Sequence, residues 1–202
     1  MILGAGLDGR AWRMPELADV DVYEVDHPAS RRDKRDRLGD REPVARSVRF
    51  VPVDFTRDRL DTALEAAGHR AGEPTTWVWE GVVPYLSRAD VTATVRVVAA
   101  RSAPGSRFVV EYHVPALAPL LGRMFARVLS ATAGQRSLWA DEPRRSAWTP
   151  AAMAELLTGL GFQLVSDEDL YAVARRIPIE VRLRRSLENA RVAIADTVTR
   201  NY

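Results

Sequence analysis

Three glycines near the start of the chain have a spacing that suits a nucleotide-like ligand. Gly4, Gly6 and Gly9 follow the apolar run at 1–3 and precede a helix predicted over 9–17. Glycine permits a tight turn and close approach of the backbone to a ligand, and free N–H groups at the start of the helix face that ligand. The loop is therefore a candidate binding site. The alternative is a tight strand-to-helix turn that uses the same residues and binds no ligand.

A carboxylate follows at the place where a ribose would need one. Asp26 ends the second predicted strand, about 20 residues past the glycine loop, and an acid there can accept hydrogen bonds from both ribose hydroxyls. Glu24 points to the same face, because alternate strand residues share a face, but Asp26 lies nearer the carboxyl edge of the sheet. The alternative is that Asp26 caps the helix predicted to begin at Pro28.

Two further acids follow the next two predicted strands. Asp54 precedes Phe55, so a carboxylate able to accept a hydrogen bond from an adenine amino group lies beside an aromatic ring able to pack on the base. The alternative for Asp54 is an Asx turn before Thr56. Glu80 follows the fourth strand, and we expect it at the mouth of the central cleft.

These acids distinguish between classes of ligand. Asp8, Asp26, Asp54 and Glu80 are expected to gather at one edge of the sheet. A dinucleotide carries two negative phosphates, which Asp8 inside the loop would repel. S-adenosylmethionine has no phosphate and bears a sulfonium and an ammonium group, so an acidic cleft suits it as cofactor. An NAD-dependent oxidoreductase is a less favoured alternative, since the sole lysine, Lys34, lies in the wrong element for the Tyr-x-x-x-Lys pair of short-chain reductases.

Short apolar runs alternate with helical segments along the chain, which predicts an α/β fold with a largely parallel sheet. Strands are predicted at 1–3, 20–25, 48–53, 75–79, 107–111, 162–165 and 192–195, with 179–183 as a rival for the seventh. Helices are predicted at 9–17, 28–39, 60–67, 87–100, 115–130, 149–159 and 167–176. These elements place the candidate residues at the carboxyl ends of successive strands.

Length and composition favour one globular domain over residues 1–202. The chain has no cysteine, and its net charge is only +2, with arginines interspersed among acids rather than clustered. We therefore expect no nucleic-acid partner, no metal site, no membrane span and a cytoplasmic location.

Four motifs in this order resemble the leucine carboxyl methyltransferase-like family of class I S-adenosylmethionine-dependent methyltransferases, including its bacterial branch of polyketide O-methylating enzymes. The motifs are Ile2–Arg10, Tyr23–Pro28, Val51–Phe55 and Glu80–Leu86, and the similarity continues to the last strand. The resemblance implies a Rossmann-like sheet of seven strands in the order 3-2-1-4-5-7-6, with strand seven antiparallel. It also implies that the cofactor is held by Gly4, Asp26, Asp54, Phe55 and Glu80; Gly6 and Asp8 complete our predicted cofactor set.

The family resembled carries helices before the first strand, which help cover the cofactor and supply an arginine to its carboxylate. This sequence starts at the strand, so we expect a truncated or reduced member. Apolar surface left uncovered would favour a homodimer. An alternative function is therefore a catalytically impaired cofactor-binding or oligomerising protein.

The acceptor is expected to be a small molecule methylated on a carboxylate or hydroxyl oxygen. A carboxylate is already ionised at neutral pH and needs no general base, whereas a hydroxyl benefits from one. Tyr85 and His113, near predicted strand ends, and Arg144, in a charged and aromatic segment, are the candidate substrate residues. No residue is assigned as catalytic.

Overall fold

The computed structural model describes residues 1–115, 145–177 and 187–198. The strands are β1 (Ile2–Leu3), β2 (Asp21–Asp26), β3 (Ser47–Pro52), β4 (Thr76–Trp79), β5 (Arg107–His113), β6 (Phe162–Asp169) and β7 (Ala190–Thr197). The α-helices are α1 (Arg10–Arg13), α2 (Pro28–Leu38), α3 (Leu60–Ala66), α4 (Arg88–Ala100), α5 (Pro150–Gly159) and α6 (Leu170–Ala174). Short 3-10 helices lie at Pro15–Leu17 and Val83–Tyr85.

The strands form one sheet in the order β3-β2-β1-β4-β5-β7-β6. β1 to β5 are mutually parallel, and β7 runs antiparallel between β5 and β6. The predicted fold class and strand order are confirmed. Because β1 to β4 are parallel neighbours, the loops that follow them meet at one edge of the sheet, which is where open α/β sheets bind ligands.

One face of the sheet carries the main core. Trp77 and Trp79 of β4 and Phe108 of β5 are fully buried, and the Trp79 and Phe108 rings stack with centroids 6.3 Å apart. Phe162 of β6 extends this aromatic row, with its ring centroid 5.8 Å from that of Phe108. The buried aliphatic residues that share this core with the aromatic row come from α3, α4 and α5: Leu60, Leu64, Val91, Val95, Val98, Met153 and Leu157.

Helix ends follow local capping chemistry. Ser87 and Asp90 form a reciprocal capping box at the start of α4. At the start of α2, Nδ1 of His27 accepts a hydrogen bond from the backbone N–H of Ala29 at 3.2 Å, and Pro28 occupies the first turn. His27 rather than Asp26 is therefore the cap of α2, which leaves the Asp26 carboxylate available to the glycine loop.

Two predicted helices have different limits in the structure. The helix predicted over 9–17 breaks at Met14, which is extended (φ −100°, ψ 107°), because Pro15 disfavours helical geometry in the residue before it. The helix predicted over 167–176 is wrong over 167–169, since β6 continues to Asp169 beside β7 and a bulge between Leu164 and Ser166 shifts the register. α6 begins only at Leu170.

The seventh strand is Ala190–Thr197, which confirms the choice of 192–195. The rival at 179–183 lies outside the described residues, as does the predicted helix 115–130 beyond its first residue. Within the described ranges, no helix is long and apolar enough to cross a membrane.

Candidate functional site

A cleft of about 390 Å³ opens at the carboxyl ends of β1 to β4. It is lined by Gly4, Asp26, His27, Ser30, Val53, Asp54, Phe55, Thr56, Gly81, Val82, Tyr85 and Leu86. Five of the residues predicted from sequence are therefore brought together here: Gly4, Asp26, Asp54, Phe55 and Tyr85. Gly6, Asp8 and Glu80 lie in the adjoining loops rather than in the lining.

The glycine loop needs its glycines for backbone geometry and for packing. Gly4 and Gly6 have φ values of 71° and 44°, a region that side chains disfavour. A Cβ on Gly4 would lie 2.1 Å from Cγ2 of Val82, so the loop after β1 is in direct contact with the loop after β4. The N–H groups of Gly4 and Ala5 both donate to the carbonyl oxygen of Val25, at 2.7 and 3.1 Å.

Asp26 joins β2 to that loop. One oxygen of its carboxylate accepts a hydrogen bond from the backbone N–H of Gly6, and the other accepts one from the N–H of His27 at 2.6 Å. The side chain is only half-buried and lines the cleft. Two backbone donors therefore fix the carboxylate in place while remaining acceptor positions face the cleft.

Asp54 takes part in a local turn as well as in the cleft wall. Its Oδ1 accepts hydrogen bonds from the hydroxyl of Thr56 at 2.7 Å and from the Thr56 N–H at 2.9 Å. These bonds hold the pKa of Asp54 below its usual range, so the residue is ionised. The Asx turn weighed from the sequence is present, and it fixes the carboxylate at the cleft. Phe55, beside it, packs on Trp79 with ring centroids 6.1 Å apart.

Asp8 and Glu80 share an arginine that the sequence argument left unassigned. Arg10 donates from Nη2 to the carboxylate of Glu80, and its Nε lies 3.3 Å from Oδ2 of Asp8. The backbone N–H of Arg10 also donates to Oδ1 of Asp8 at 2.8 Å. The cleft edge is therefore less acidic than four unpaired carboxylates would make it. The signal available in sequence was an arginine two positions after Asp8.

The candidate substrate residues lie in different places. Tyr85 is 38% exposed and lines the cleft. His113 lies outside the lining, with Nε2 3.4 Å from the carboxylate of Glu111, which in turn accepts the Gly81 N–H at 2.7 Å. These contacts hold the pKa of Glu111 below its usual range. Arg144 lies outside the described residues.

The segment at 145–148 packs against the 3-10 helix at Val83–Tyr85 and the end of β5, a contact that the sequence analysis did not foresee. The backbone N–H of Arg145 donates to the carbonyl oxygen of Pro84 at 2.7 Å, and the hydroxyl of Ser146 donates to that of Val83 at 3.0 Å. The N–H of Trp148 donates to the carbonyl of His113 at 2.9 Å. The bonds from Arg145 and Ser146 support the 3-10 helix that carries Tyr85.

A larger cavity, of about 790 Å³, lies towards the amino ends of β2 and β4. Its lining includes Asp21 paired with Arg46, and His69 beside Thr75. Its lining includes Arg10 but none of the loop glycines Gly4, Gly6 and Gly9, and most of it comes from the amino ends of the strands. The smaller cleft therefore has the stronger claim as the functional site. No cluster of three metal-ligating side chains occurs among the described residues.

Two solved methyltransferase structures have a similar fold. A glycopeptide N-methyltransferase complexed with sinefungin aligns with a TM-score of 0.60 at 17% identity, over 98% of this chain and 79% of that one. Magnesium protoporphyrin IX methyltransferase from Synechocystis, with S-adenosylhomocysteine bound, aligns with a TM-score of 0.55 at 12% identity, over 98% and 73%. At these identities the likeness establishes the fold, which is the class I methyltransferase fold.

Sequence similarity identifies the family. The leucine carboxyl methyltransferase profile matches residues 1–99. A Mycolicibacterium gilvum protein named "Putative S-adenosyl-L-methionine-dependent methyltransferase" is 39% identical over 189 residues, covering 84% of this chain and 60% of the relative. A Mycobacteroides abscessus protein of the same name is 33% identical, covering 87% and 58%. The chain belongs to the leucine carboxyl methyltransferase-like family, and it spans about three-fifths of the length of these relatives.

Proposed function

We propose that this chain forms the S-adenosylmethionine-binding domain of an O-methyltransferase that methylates a carboxylate or hydroxyl of a small molecule. The observation that carries the proposal is the position of Asp26. Its carboxylate is fixed by the glycine loop at the wall of a cleft that also contains Asp54 and Phe55. A ribose acceptor, an adenine acceptor and an aromatic ring thus share one cavity.

The donors and acceptors around the cleft fit this cofactor. Asp26 accepts from the ribose hydroxyls, Asp54 accepts from the adenine amino group, and Phe55 packs on the base. Glu80 pairs with an ammonium group. A phosphate-bearing dinucleotide fits less well, since Asp8 lies within the glycine loop where its pyrophosphate would lie.

The chemical task of the protein is then mainly positional. The cofactor, when bound, supplies a methyl group activated on a sulfonium. The residues of this chain orient the two reactants in line and exclude water from between them. In this proposal Tyr85, which lines the cleft, contacts the acceptor, and hydrogen bonds from the segment at 145–148 support the 3-10 helix that carries it.

Three expectations from the sequence extend the main proposal. We propose that residues 1–202 form a single domain and that the protein forms a homodimer. We also propose that His113 and Arg144 contact the substrate. A carboxylate acceptor would need no base, whereas a hydroxyl acceptor would call for one near the sulfonium.

Calorimetric titration of the 202-residue chain with S-adenosylhomocysteine tests the proposal, with NADH as the matched control ligand. We expect saturable binding of S-adenosylhomocysteine and none of NADH. A folded sample that bound NADH and not S-adenosylhomocysteine would refute the methyltransferase assignment. Transfer of a labelled methyl group to any acceptor in a small-molecule panel would exclude the catalytically impaired alternative.

A further inference from the structure

Glu111 and His113 form a pair at the carboxyl end of β5 that the cofactor assignments leave unused. The two side chains share one face of the strand, because alternate strand residues point the same way. Nε2 of His113 lies 3.4 Å from Oε1 of Glu111, and the two side chains are 20% and 16% exposed. The pair is thus an imidazole and a carboxylate that are mostly buried but still open to a small molecule.

Glu111 joins this pair to the wall of the cleft. Its Oε2 accepts a hydrogen bond from the backbone N–H of Gly81 at 2.7 Å, and Gly81 lines the cleft. The loop that begins at Gly81 also leads to Tyr85, the proposed contact to the acceptor. Because β5 is the neighbour of β4 on the side away from β2 and β3, the pair lies beyond β4 from Asp26 and Asp54.

The contacts of Glu111 favour one form of the imidazole. The His113 side chain and the Gly81 N–H together hold the pKa of Glu111 below its usual range, so the carboxylate is ionised. An ionised carboxylate beside Nε2 stabilises the tautomer that carries its proton there, which leaves Nδ1 able to accept a proton. An imidazole that a third group orients in this way is suited to act as a general base.

The other two histidines of the chain are placed differently. His27 lines the cleft, but it does so at the end of β2, where its Nδ1 accepts the Ala29 N–H and caps α2. His69 is buried and lines the larger cavity, towards the amino ends of the strands. His113 is therefore the histidine that lies beside the loop after β4.

We propose that His113 is the general base of this methyltransferase, that Glu111 is its positioning residue, and that the acceptor is a hydroxyl group rather than a carboxylate. This inference rests on the proposed function. The acceptor oxygen forms a bond to the methyl carbon while its proton passes to Nδ1 of His113. The carbon–sulfur bond breaks, its electron pair stays on sulfur, and His113 then releases the proton to water. A carboxylate acceptor has no proton to give at neutral pH and would leave the base without a task.

Acceptors of different acidity test the proposal, in assays of methyl transfer from labelled S-adenosylmethionine at pH 8. The panel contains 4-methylphenol, which is neutral at this pH, 4-nitrophenol, which is largely ionised, and benzoate. We expect the unmodified chain to methylate the phenols. His113→Gln should slow transfer to 4-methylphenol by about 100-fold or more and leave 4-nitrophenol within about threefold. Glu111→Gln should lower kcat for 4-methylphenol by about 10-fold, because its amide can still accept the Gly81 N–H but carries no charge to orient the imidazole.

Arg107→Gln is the matched control, because Arg107 lies at the opposite end of β5 in an exposed pair with Asp196. It should methylate each acceptor as the unmodified chain does. Calorimetry with S-adenosylhomocysteine checks the cofactor site of each variant, and we expect His113→Gln to bind it as the unmodified chain does.

The outcomes separate this inference from the proposed function. Equal slowing of 4-methylphenol and 4-nitrophenol by His113→Gln would show that His113 only supports the fold, and transfer by the unmodified chain to benzoate alone would also overturn the inference. A chain that binds S-adenosylhomocysteine and methylates no member of the panel would overturn it as well, while the cofactor site stands. If the unmodified chain does not bind S-adenosylhomocysteine, the proposed function itself fails, and this inference fails with it.

Discussion

The carboxylate of Asp26 accepts a hydrogen bond from the backbone N–H of Gly6, which joins the end of β2 to the loop that follows β1. The two residues are 20 positions apart in sequence and meet because β1 and β2 are parallel neighbours. The same carboxylate also accepts the His27 N–H. One side chain therefore sets the shape of the glycine loop and contributes to the wall of the cleft.

Asp26→Asn should damage cofactor binding more than folding. Asparagine has one acceptor oxygen where aspartate has two, so one of the two backbone N–H groups loses its partner. We expect a loss of about 1–2 kcal/mol in the free energy of unfolding. Affinity for S-adenosylhomocysteine should fall at least about 10-fold, because a ribose hydroxyl loses a charged acceptor. Urea unfolding and calorimetry measure the two effects.

Asp33→Asn is the matched control for that change. Asp33 lies on α2 with its side chain 52% exposed and is paired with Arg37 one turn away. An exposed pair of this kind contributes less than about 1 kcal/mol, and we expect no change in ligand affinity. Binding by Asp26→Asn equal to that of Asp33→Asn would remove Asp26 from the site.

Gly4→Ala should destabilise the fold by about 2–4 kcal/mol, from left-handed backbone strain together with overpacking. The φ of Gly4 is 71°, and the new methyl group would lie 2.1 Å from Cγ2 of Val82. Adding Val82→Ala should relieve the clash but not the strain, and so restore only part of the loss. The midpoint of urea unfolding measures both variants.

Gly159→Ala provides the comparison, since Gly159 is the last residue of α5 and a Cβ there meets nothing within 4 Å. Alanine should leave stability unchanged or raise it by up to about 1 kcal/mol. A Gly4→Ala protein as stable as Gly159→Ala would show that the two loops do not pack as described.

Much of the carboxyl edge of the sheet could be predicted from sequence, because the strands and the acids that follow them are visible in short stretches of the chain. Each strand is a short apolar run, and each acid follows directly on a strand, so parallel order alone brings Asp26 and Asp54 to one cleft. The resemblance supplied the strand order, including the antiparallel seventh strand. Pro15 was also visible, and the residue before a proline is restricted; the predicted helix over 9–17 should have ended there.

The parts of the site that could not be predicted depend on contacts between residues far apart in the sequence. Arg10 meets Glu80 from 70 positions away, and periodicity carries no information about such a pair. The segment at 145–148 contacts the 3-10 helix through backbone N–H and carbonyl groups. Every residue type carries these groups, so the sequence gives no sign of the contact. For Asp54 the sequence analysis treated an Asx turn and a ligand-binding role as alternatives. In the structure Asp54 makes the Asx turn and also lines the cleft.

The buried ion pair of Lys34 and Glu24 makes a further prediction. Nζ of Lys34 lies 2.5 Å from Oε2 of Glu24, and both side chains are at most 5% exposed. Lys34→Met should destabilise the protein by about 3–5 kcal/mol at pH 8, because a carboxylate is left buried without its partner. Urea unfolding measures the loss.

The pH dependence of that variant has a defined sign. Burial raises the pKa of Glu24 above its ordinary value even with Lys34 present. A raised folded-state pKa gives stability below the ordinary value of 4.5 that is lost as the pH rises through the folded-state value. Lys34→Met should therefore be less damaging at pH 5 than at pH 8. The double variant Glu24→Gln, Lys34→Met should recover most of the loss, and a single variant as stable as the double one at pH 8 would contradict the argument.

His69 should make the protein sensitive to mild acid. Its ring is 7% exposed between Tyr23 and Trp77, and burial, with the nearby Arg101 guanidinium, lowers its pKa from 6.5 to about 4. Between pH 6.5 and about pH 4, His69 is therefore protonated in the unfolded chain but neutral in the folded protein. The free energy of unfolding is therefore highest above pH 6.5 and falls as the pH drops towards 4. The loss due to His69 is about 2 kcal/mol at pH 5.

His69→Gln should remove that loss, because glutamine does not titrate and can still accept the Arg101 hydrogen bond that Nδ1 accepts at 3.3 Å. The measurement is the free energy of unfolding in urea at pH 8 and pH 5 for both proteins. His27→Asn is the control: His27 is exposed, and asparagine is also a good N-cap for α2, so this variant should keep the acid sensitivity of the unmodified chain. Equal losses between pH 8 and pH 5 in His69→Gln and in the unmodified protein would show that His69 is protonated as readily in the folded state as in the unfolded one.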